Sequence, residues 1–89
     1  MFLHVGTDVV VSLKRVVAIL DMRSAGSTEA TREFLAYLKR QGKVTDISSG
    51  DAKSLVITDS EAFLSPISSL TLKKRCDFLG NNPNLDFVL

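Results

Sequence analysis

Two groups of adjacent cations are the residues of this sequence best suited to chemistry. Lys73, Lys74 and Arg75 stand in "SLTLKKRCDFLGNN", and Lys14 and Arg15 stand in "VVVSLKRVVAIL". Ammonium and guanidinium groups bind phosphate oxygens, so each group is a candidate contact to a nucleic-acid backbone. The alternative for each is the solvated side of an ordinary helix or strand. The elements that carry these residues decide between the two interpretations.

Residues suited to catalysis are scarce. The single histidine, His4, lies in the β-type run "FLHV", and no nucleophile accompanies it there. Asp46 with Asp51, and Asp59 with Glu61, form the carboxylate pairs, but both pairs stand in turn-forming sequences where such side chains serve local hydrogen bonds. We therefore expect no enzymatic activity and no cofactor.

The composition indicates one folded domain. The chain has 89 residues, of which 45% are hydrophobic and 24% charged. A domain of this size buries only about two-thirds of its unfolded surface, so self-association would stabilise it. The single cysteine, Cys76, excludes an internal disulfide and leaves no Cys/His cluster for a metal, which fits a reducing cytoplasm. No signal peptide or membrane-spanning apolar run is present, so we expect a cytoplasmic protein without membrane contact.

The first half of the chain predicts three strands and a helix. "FLHV", "VVVS" and "RVVAIL" are β-type runs, with a tight turn or bulge near residues 12–14 between the second and third. Ser27 is the expected N-cap of the helix, and Gly42 is expected to end it in the left-handed conformation. The expected buried stripe of this helix consists of Ala30, Phe34, Leu35, Tyr37, Leu38 and Gln41.

The second half predicts three more strands and a second helix. "KVTDI", "KSLVIT" and "AFLS" read as a hairpin or meander. Ser68 or Ser69 is expected to cap the last helix and Gly80 to end it, with Leu72, Cys76 and Leu79 buried. The expected fold is therefore α+β, with about five or six short strands, one amphipathic helix and a C-terminal helix. It forms a single domain over residues 1–80, followed by a linker and an apolar tail over residues 81–89.

These elements separate the two groups of cations. On the last helix the buried stripe places Lys73 and Arg75 on its flanks and Lys74 near the opposite side, as on an ordinary solvated helix. Lys14 and Arg15 instead leave the sheet at a strand junction, and Lys53 opens a strand beside a glycine turn. Cations on loops approach a phosphate closely. We therefore predict contacts to nucleic-acid phosphates at Lys14, Arg15 and Lys53.

Two long segments indicate a family. "FLHVGTDVVVSLKRVVAILDM" and "KSLVITDSEAFLSPISSLTLKKR" resemble the RemA/RemB family of bacterial regulators of extracellular-matrix (biofilm) genes, most of all its RemB branch. The resemblance covers roughly residues 1–75, and "LSPISSLTLKKR" is its most specific part. It implies a domain similar to LytTR-type DNA-binding modules. It also implies a closed homo-oligomeric ring that engages double-stranded DNA through basic residues on loops.

The resemblance also places the family's DNA contacts. Arg15, with Lys14 beside it, matches an arginine that precedes the third strand in the RemA branch. An arginine pair in the loop after the helix matches Gly50 and Asp51, neither of which is basic, while Lys53 supplies a cation slightly further along. The sequence thus departs from the family pattern at its second contact.

Two other functions stay open. The departure at Gly50 and Asp51 favours a protein-interaction module that no longer contacts DNA. The tail "NLDFVL" either adds as a strand to a neighbour or partner or packs on its own domain. Single-stranded RNA binding ranks third, because the aromatic residues occupy core-like positions. The net charge of +1 is low for a nucleic-acid binder. A ring that repeats a few contacts would compensate for it through avidity.

Overall fold

The computed structural model describes residues 1–24, 28–79 and 86–88, with side chains placed up to residue 77. Within these ranges there are two helices, α1 (Glu29–Arg40) and α2 (Ser69–Leu79). A 3-10 turn, Leu13–Arg15, precedes the third strand. The strands in chain order are β1 (Phe2–Gly6), β2 (Val9–Ser12), β3 (Val16–Asp21), β4 (Val44–Asp46), β5 (Ser54–Thr58), β6 (Ala62–Ser65) and β7 (Asp86–Val88).

In the part of the chain that the structure describes, the strands form two sheets, which confirms the α+β class. One sheet is the antiparallel pair of β1 and β2, and the other sheet has five strands in the order β4-β6-β5-β3-β7. Strands β5 and β6 form the predicted hairpin. The alternative of a meander is wrong, because β4 crosses to the far edge of β6 and pairs with it in parallel. At the other edge, β7 runs parallel to β3 of the same chain. The division at residue 80 stays a prediction.

One face of the large sheet carries the main core. The β1–β2 hairpin and α2 cover this face, and alternation along the strands directs every second side chain towards them. Leu72 and Cys76 of α2 are buried here, as the sequence predicts. The buried residues of this layer are Leu3, Val5, Val11, Leu13, Val16, Ile19, Val56, Phe63, Leu72 and Cys76.

Helix α1 covers the opposite face less completely. Its buried residue is Leu35, which packs with Leu55, Ala62 and Leu64 of the hairpin. The predicted stripe is wrong in its centre, since Phe34 is 39% and Tyr37 53% exposed. The sheet contacts only a narrow part of the helix surface, on the side of the stripe that carries Leu35.

The expectation of core-like aromatics is wrong for most of those with placed side chains. Phe63 is buried, whereas Phe2, Phe34 and Tyr37 are exposed. These exposed side chains do not form one surface on which bases could stack, because Phe2 lies on β1 whereas Phe34 and Tyr37 lie on α1.

Capping side chains set where both helices begin. Thr28, rather than Ser27, is the N-cap of α1, because its hydroxyl accepts a hydrogen bond from the N–H of Thr31. Ser27 lies outside the described residues. Gly42 has a φ of 68° and follows α1 as predicted. Ser68 caps α2 by accepting from the N–H of Thr71 at 3.2 Å. The predicted end of α2 at Gly80 and the linker after it also lie outside the described residues.

Candidate nucleic-acid interface

The predicted contact at Lys14 and Arg15 lies on the 3-10 turn between β2 and β3. Leu13 anchors this turn, because its side chain is buried and its N–H donates to the carbonyl of Met1 at 2.9 Å. The next two side chains are both exposed. The predicted break between the strands is confirmed, and Arg15 belongs to the turn rather than to β3.

Arg15 is held by the turn that joins β5 to β6. Its Nε donates to Oδ1 of Asp59 at 3.0 Å, its Nη2 donates to Oγ of Ser60, and Oε2 of Glu61 lies 3.9 Å from Nη2. The Arg15 and Asp59 side chains are 46% and 61% exposed, so solvent screens their attraction. The remaining guanidinium nitrogen, Nη1, has no hydrogen-bond partner in the described ranges. Arg15 is thus oriented and still has N–H groups to donate.

Thr58 stabilises the turn between β5 and β6. Its Oγ1 donates to the carbonyl of Glu61 at 2.9 Å and accepts from the N–H groups of Ser60 and Glu61. The local side-chain hydrogen bonds of the turn thus come from Thr58, and the expectation that the carboxylates of Asp59 and Glu61 serve this role is wrong, because both lie against Arg15 instead. No local sequence signal reveals these pairs, since the Arg15–Asp59 contact spans 44 residues.

Lys53 lies at the opposite end of the same strands. Its N–H donates to the carbonyl of Ser65 at 2.8 Å, and its own carbonyl accepts from the N–H of Met22 at 3.1 Å. In the pairing of β3 with β5, Asp21 faces Ser54 and Val16 faces Thr58. Across the 6 residues of β3 the two ends are about 17 Å apart. The three predicted contacts therefore form two separate sites.

A cavity of about 380 Å³ adjoins Lys53. It lies between the end of β3, the approach to β5 and the first turn of α2. Arg23 lies in the wall of this cavity. The sequence does not indicate Arg23 as a contact, because only the long-range pairing of β3 with β5 brings it near Lys53. The lining residues are Asp21, Arg23, Asp51, Ala52, Lys53, Ser68, Ser69 and Leu70.

The cations of α2 behave as those of an ordinary solvated helix. Lys73 and Lys74 are exposed on the helix surface, whereas Arg75 is half-buried. Nη1 of Arg75 donates to the carbonyl of His4 at 2.9 Å, which ties α2 to β1. The His4 imidazole contacts the carbonyl of Thr7 through Nε2 at 2.6 Å. His4 is therefore a strand residue facing a neighbour, as predicted.

Other chemical sites are sparse in the part of the chain that the structure describes. Within it, no group of three His, Cys, Asp or Glu residues could hold a metal ion. Burial, and secondarily the charge of Asp77, raises the pKa of the Cys76 thiol, so this cysteine is a poor nucleophile. No helix in the described ranges is long and apolar enough to span a membrane.

Comparison with known proteins identifies the family of this chain. Residues 2–76 match the RemA-like family, described as extracellular matrix regulatory protein A-like. The chain belongs to this family. It is also 40% identical over 79 residues to extracellular matrix regulatory protein B of Bacillus subtilis strain 168, a match that covers 89% of this chain and 94% of that protein. The resemblance to the RemA/RemB regulators is thereby confirmed.

The family match also bears on the cation sites. It includes both the 3-10 turn at Lys14 and Arg15 and the whole lining of the cavity beside Lys53. The family is named for regulation rather than for catalysis, in keeping with the scarcity of catalytic side chains.

Proposed function

We propose that this protein is a DNA-binding transcriptional regulator of extracellular-matrix genes. It acts in the cytoplasm as a homo-oligomeric ring and contacts DNA phosphates through Lys14, Arg15 and Lys53. Membership of the extracellular matrix regulatory protein family is the observation that carries the proposal. The exposed cations at both ends of the central strands support it, since each end offers a phosphate contact.

Repetition of the subunit is needed because one copy has few contacts. The net charge is +1, and the ion pairs of Arg15 with Asp59 and Glu61 reduce the positive potential at its turn. Electrostatic affinity for DNA grows with the number of phosphates neutralised. A ring multiplies two or three contacts per subunit into a strong interaction, provided that the DNA bends along it.

The outer face of the β1–β2 hairpin supports self-association. Met1, Phe2 and Val10 are 71%, 65% and 57% exposed, and His4 pairs with Val10 on the same hairpin. Exposed apolar side chains grouped in this way are typical of an interface. We therefore place a contact between copies of the chain on this surface.

Binding of the wild-type protein to duplex DNA over a salt series tests the proposal. Fluorescence anisotropy with a labelled duplex of about 30 base pairs should show binding at low salt, and log K should fall linearly with log salt concentration. Binding that is absent at low salt would reject DNA contact and favour the alternative below.

The alternative is a protein-interaction module that no longer contacts DNA. Gly50 and Asp51 replace the arginine pair of the RemA branch, and the short strands β4 and β7 form the edges of the large sheet. A partner strand could pair with the outer side of β7 or exchange with it. Deleting residues 85–89 should then abolish partner binding, whereas the DNA-binding proposal predicts that DNA affinity per assembled ring survives the deletion.

A further inference from the structure

The cavity beside Lys53 combines several unpaired hydrogen-bond donors. The N–H groups of Ser69 and Leu70 open α2, where helix geometry provides no acceptor, and both residues line the cavity. The next two N–H groups are satisfied, since Thr71 donates to Oγ of Ser68 and Leu72 to its carbonyl. Two N–H groups at the positive end of the helix dipole thus remain for a ligand.

Ser69 adds a hydroxyl at the same place. This residue is only 6% exposed. Within the described ranges the Ser69 hydroxyl has no hydrogen-bond partner. Every side-chain oxygen there that is fully enclosed has a partner, so the Ser69 hydroxyl is not fully enclosed and a ligand can reach it. A nearly buried hydroxyl without a partner is costly unless a ligand or water satisfies it.

Two cations face two carboxylates around this opening. The side chains of Arg23 and Lys53 take part in no ion pair among the described residues. Oδ1 of Asp21 accepts from the N–H of Arg23 at 2.9 Å, which occupies part of that carboxylate. Asp51 is exposed, and its charge opposes an anion. Arg23 and Lys53 line the same opening as the first turn of α2.

We propose that this cavity is a phosphate-binding site. The N–H groups of Ser69 and Leu70 and the Ser69 hydroxyl bind the phosphate oxygens, and Arg23 and Lys53 neutralise the charge. The phosphate belongs either to a DNA backbone or to a free phosphate compound such as a nucleotide. Only binding of a DNA phosphate rests on the proposed function, whereas binding of a free phosphate compound does not. Arg23 then supplies a second cation beside Lys53 in this cavity.

Titration of the full-length, isotope-labelled protein with inorganic phosphate and with pyrophosphate tests the site by NMR. The amide signals of Ser69 and Leu70 should shift with saturation. Arg23→Gln should weaken the apparent affinity about tenfold or more, as expected for the loss of a charged hydrogen bond. Asp51→Asn should strengthen it, and Lys74→Gln, a matched loss of charge on the far part of α2, should leave it unchanged.

Two results would overturn the site. One is that the signals of Ser69 and Leu70 do not shift with saturation. The other is equal weakening by Arg23→Gln and Lys74→Gln, which would indicate a general charge effect. Unchanged amide spectra of the variants without phosphate verify their folding.

A parallel titration with duplex DNA identifies the source of the phosphate. If Arg23→Gln weakens DNA binding and pyrophosphate competes with DNA, the site binds the backbone. If phosphate binds but DNA binding does not depend on Arg23, the site binds a free phosphate compound. If wild type binds no DNA while the phosphate titration saturates, the DNA-binding function fails and the site stands.

Discussion

At the scale of single residues, Arg15 is the predicted contact whose orientation the structure defines through side-chain hydrogen bonds. The sequence indicates that Lys14 and Arg15 leave the sheet at a strand junction, and the structure confirms it. The sequence could not indicate that the β5–β6 turn places Asp59 3.0 Å from Arg15. Such a pair depends on strand register, which local patterns do not reveal. The role of Arg23 is hidden from the sequence for the same reason, since strand pairing brings it near Lys53.

Replacing Asp59 with Asn tests whether Arg15 meets an anion. Asn keeps an oxygen that accepts from Nε of Arg15, so the side chain keeps its orientation while one negative charge is removed. We expect duplex DNA affinity to rise a few-fold and the salt dependence to become steeper. Asp8→Asn, on the β1–β2 turn, is the matched control. Unchanged DNA affinity and salt slope in Asp59→Asn would mean that Arg15 does not contact phosphate.

Asp46 provides a pH prediction outside the interface. The hydroxyl of Ser48, and then its N–H at 2.8 Å, lower the pKa of the Asp46 carboxyl, and the charge of Lys39 adds a smaller effect. Because the pKa of Asp46 is lower in the folded state, its carboxylate stabilises the fold at pH values above the unfolded pKa of about 3.9. This stabilisation is lost as the pH falls through the folded-state pKa. Asp46→Ala should therefore destabilise the protein at pH 7, with a difference from wild type that shrinks towards pH 3. Urea unfolding at both pH values measures it, and a difference that is constant with pH would contradict the assignment.

At the scale of elements, apolar patterns and turn residues give most of the fold. Alternation and β-branched runs predict β1 to β6, and Gly42 and Ser68 mark helix boundaries correctly. The burial of α1 was not predictable, because periodicity shows that an apolar stripe exists but not how much of it the sheet covers. The parallel pairing of β4 with β6 was also not predictable, since local patterns do not show which edge of the β5–β6 hairpin β4 joins.

Gly6 offers a test of how the β1–β2 hairpin packs. Its φ is 138°, and an added Cβ would lie 2.9 Å from Cδ of Pro66, whereas Gly50 has a φ of 87° with open space around it. Gly6→Ala should therefore cost about 1–3 kcal/mol through crowding in addition to backbone strain, and Gly50→Ala should cost the strain alone, about 1 kcal/mol. Thermal or urea unfolding compares the two. Equal losses of stability would show that Pro66 yields without cost.

At the scale of the whole molecule, the exposed face of the β1–β2 hairpin predicts assembly. Val10→Glu places a charge in the apolar surface and should shift the particle mass towards the monomer at micromolar concentration. Val17→Glu makes the same exchange on β3 and is the matched control. Light scattering measures the mass. A wild-type protein that is monomeric throughout this range would remove both the ring and the avidity that the function requires.

The central claim is that cations of the 3-10 turn contact DNA phosphates in every subunit of an assembly. Its most direct test compares Lys14→Ala/Arg15→Ala with Lys73→Ala/Lys74→Ala, after light scattering has shown that both variants assemble like wild type. Duplex DNA binding is measured across a salt series. We expect the affinity of the turn variant to fall steeply and its log-log salt slope to decrease by about 0.9 for each phosphate that it no longer neutralises, while the helix variant changes little. Equal DNA affinity and equal salt slope for wild type and the turn variant would contradict the claim.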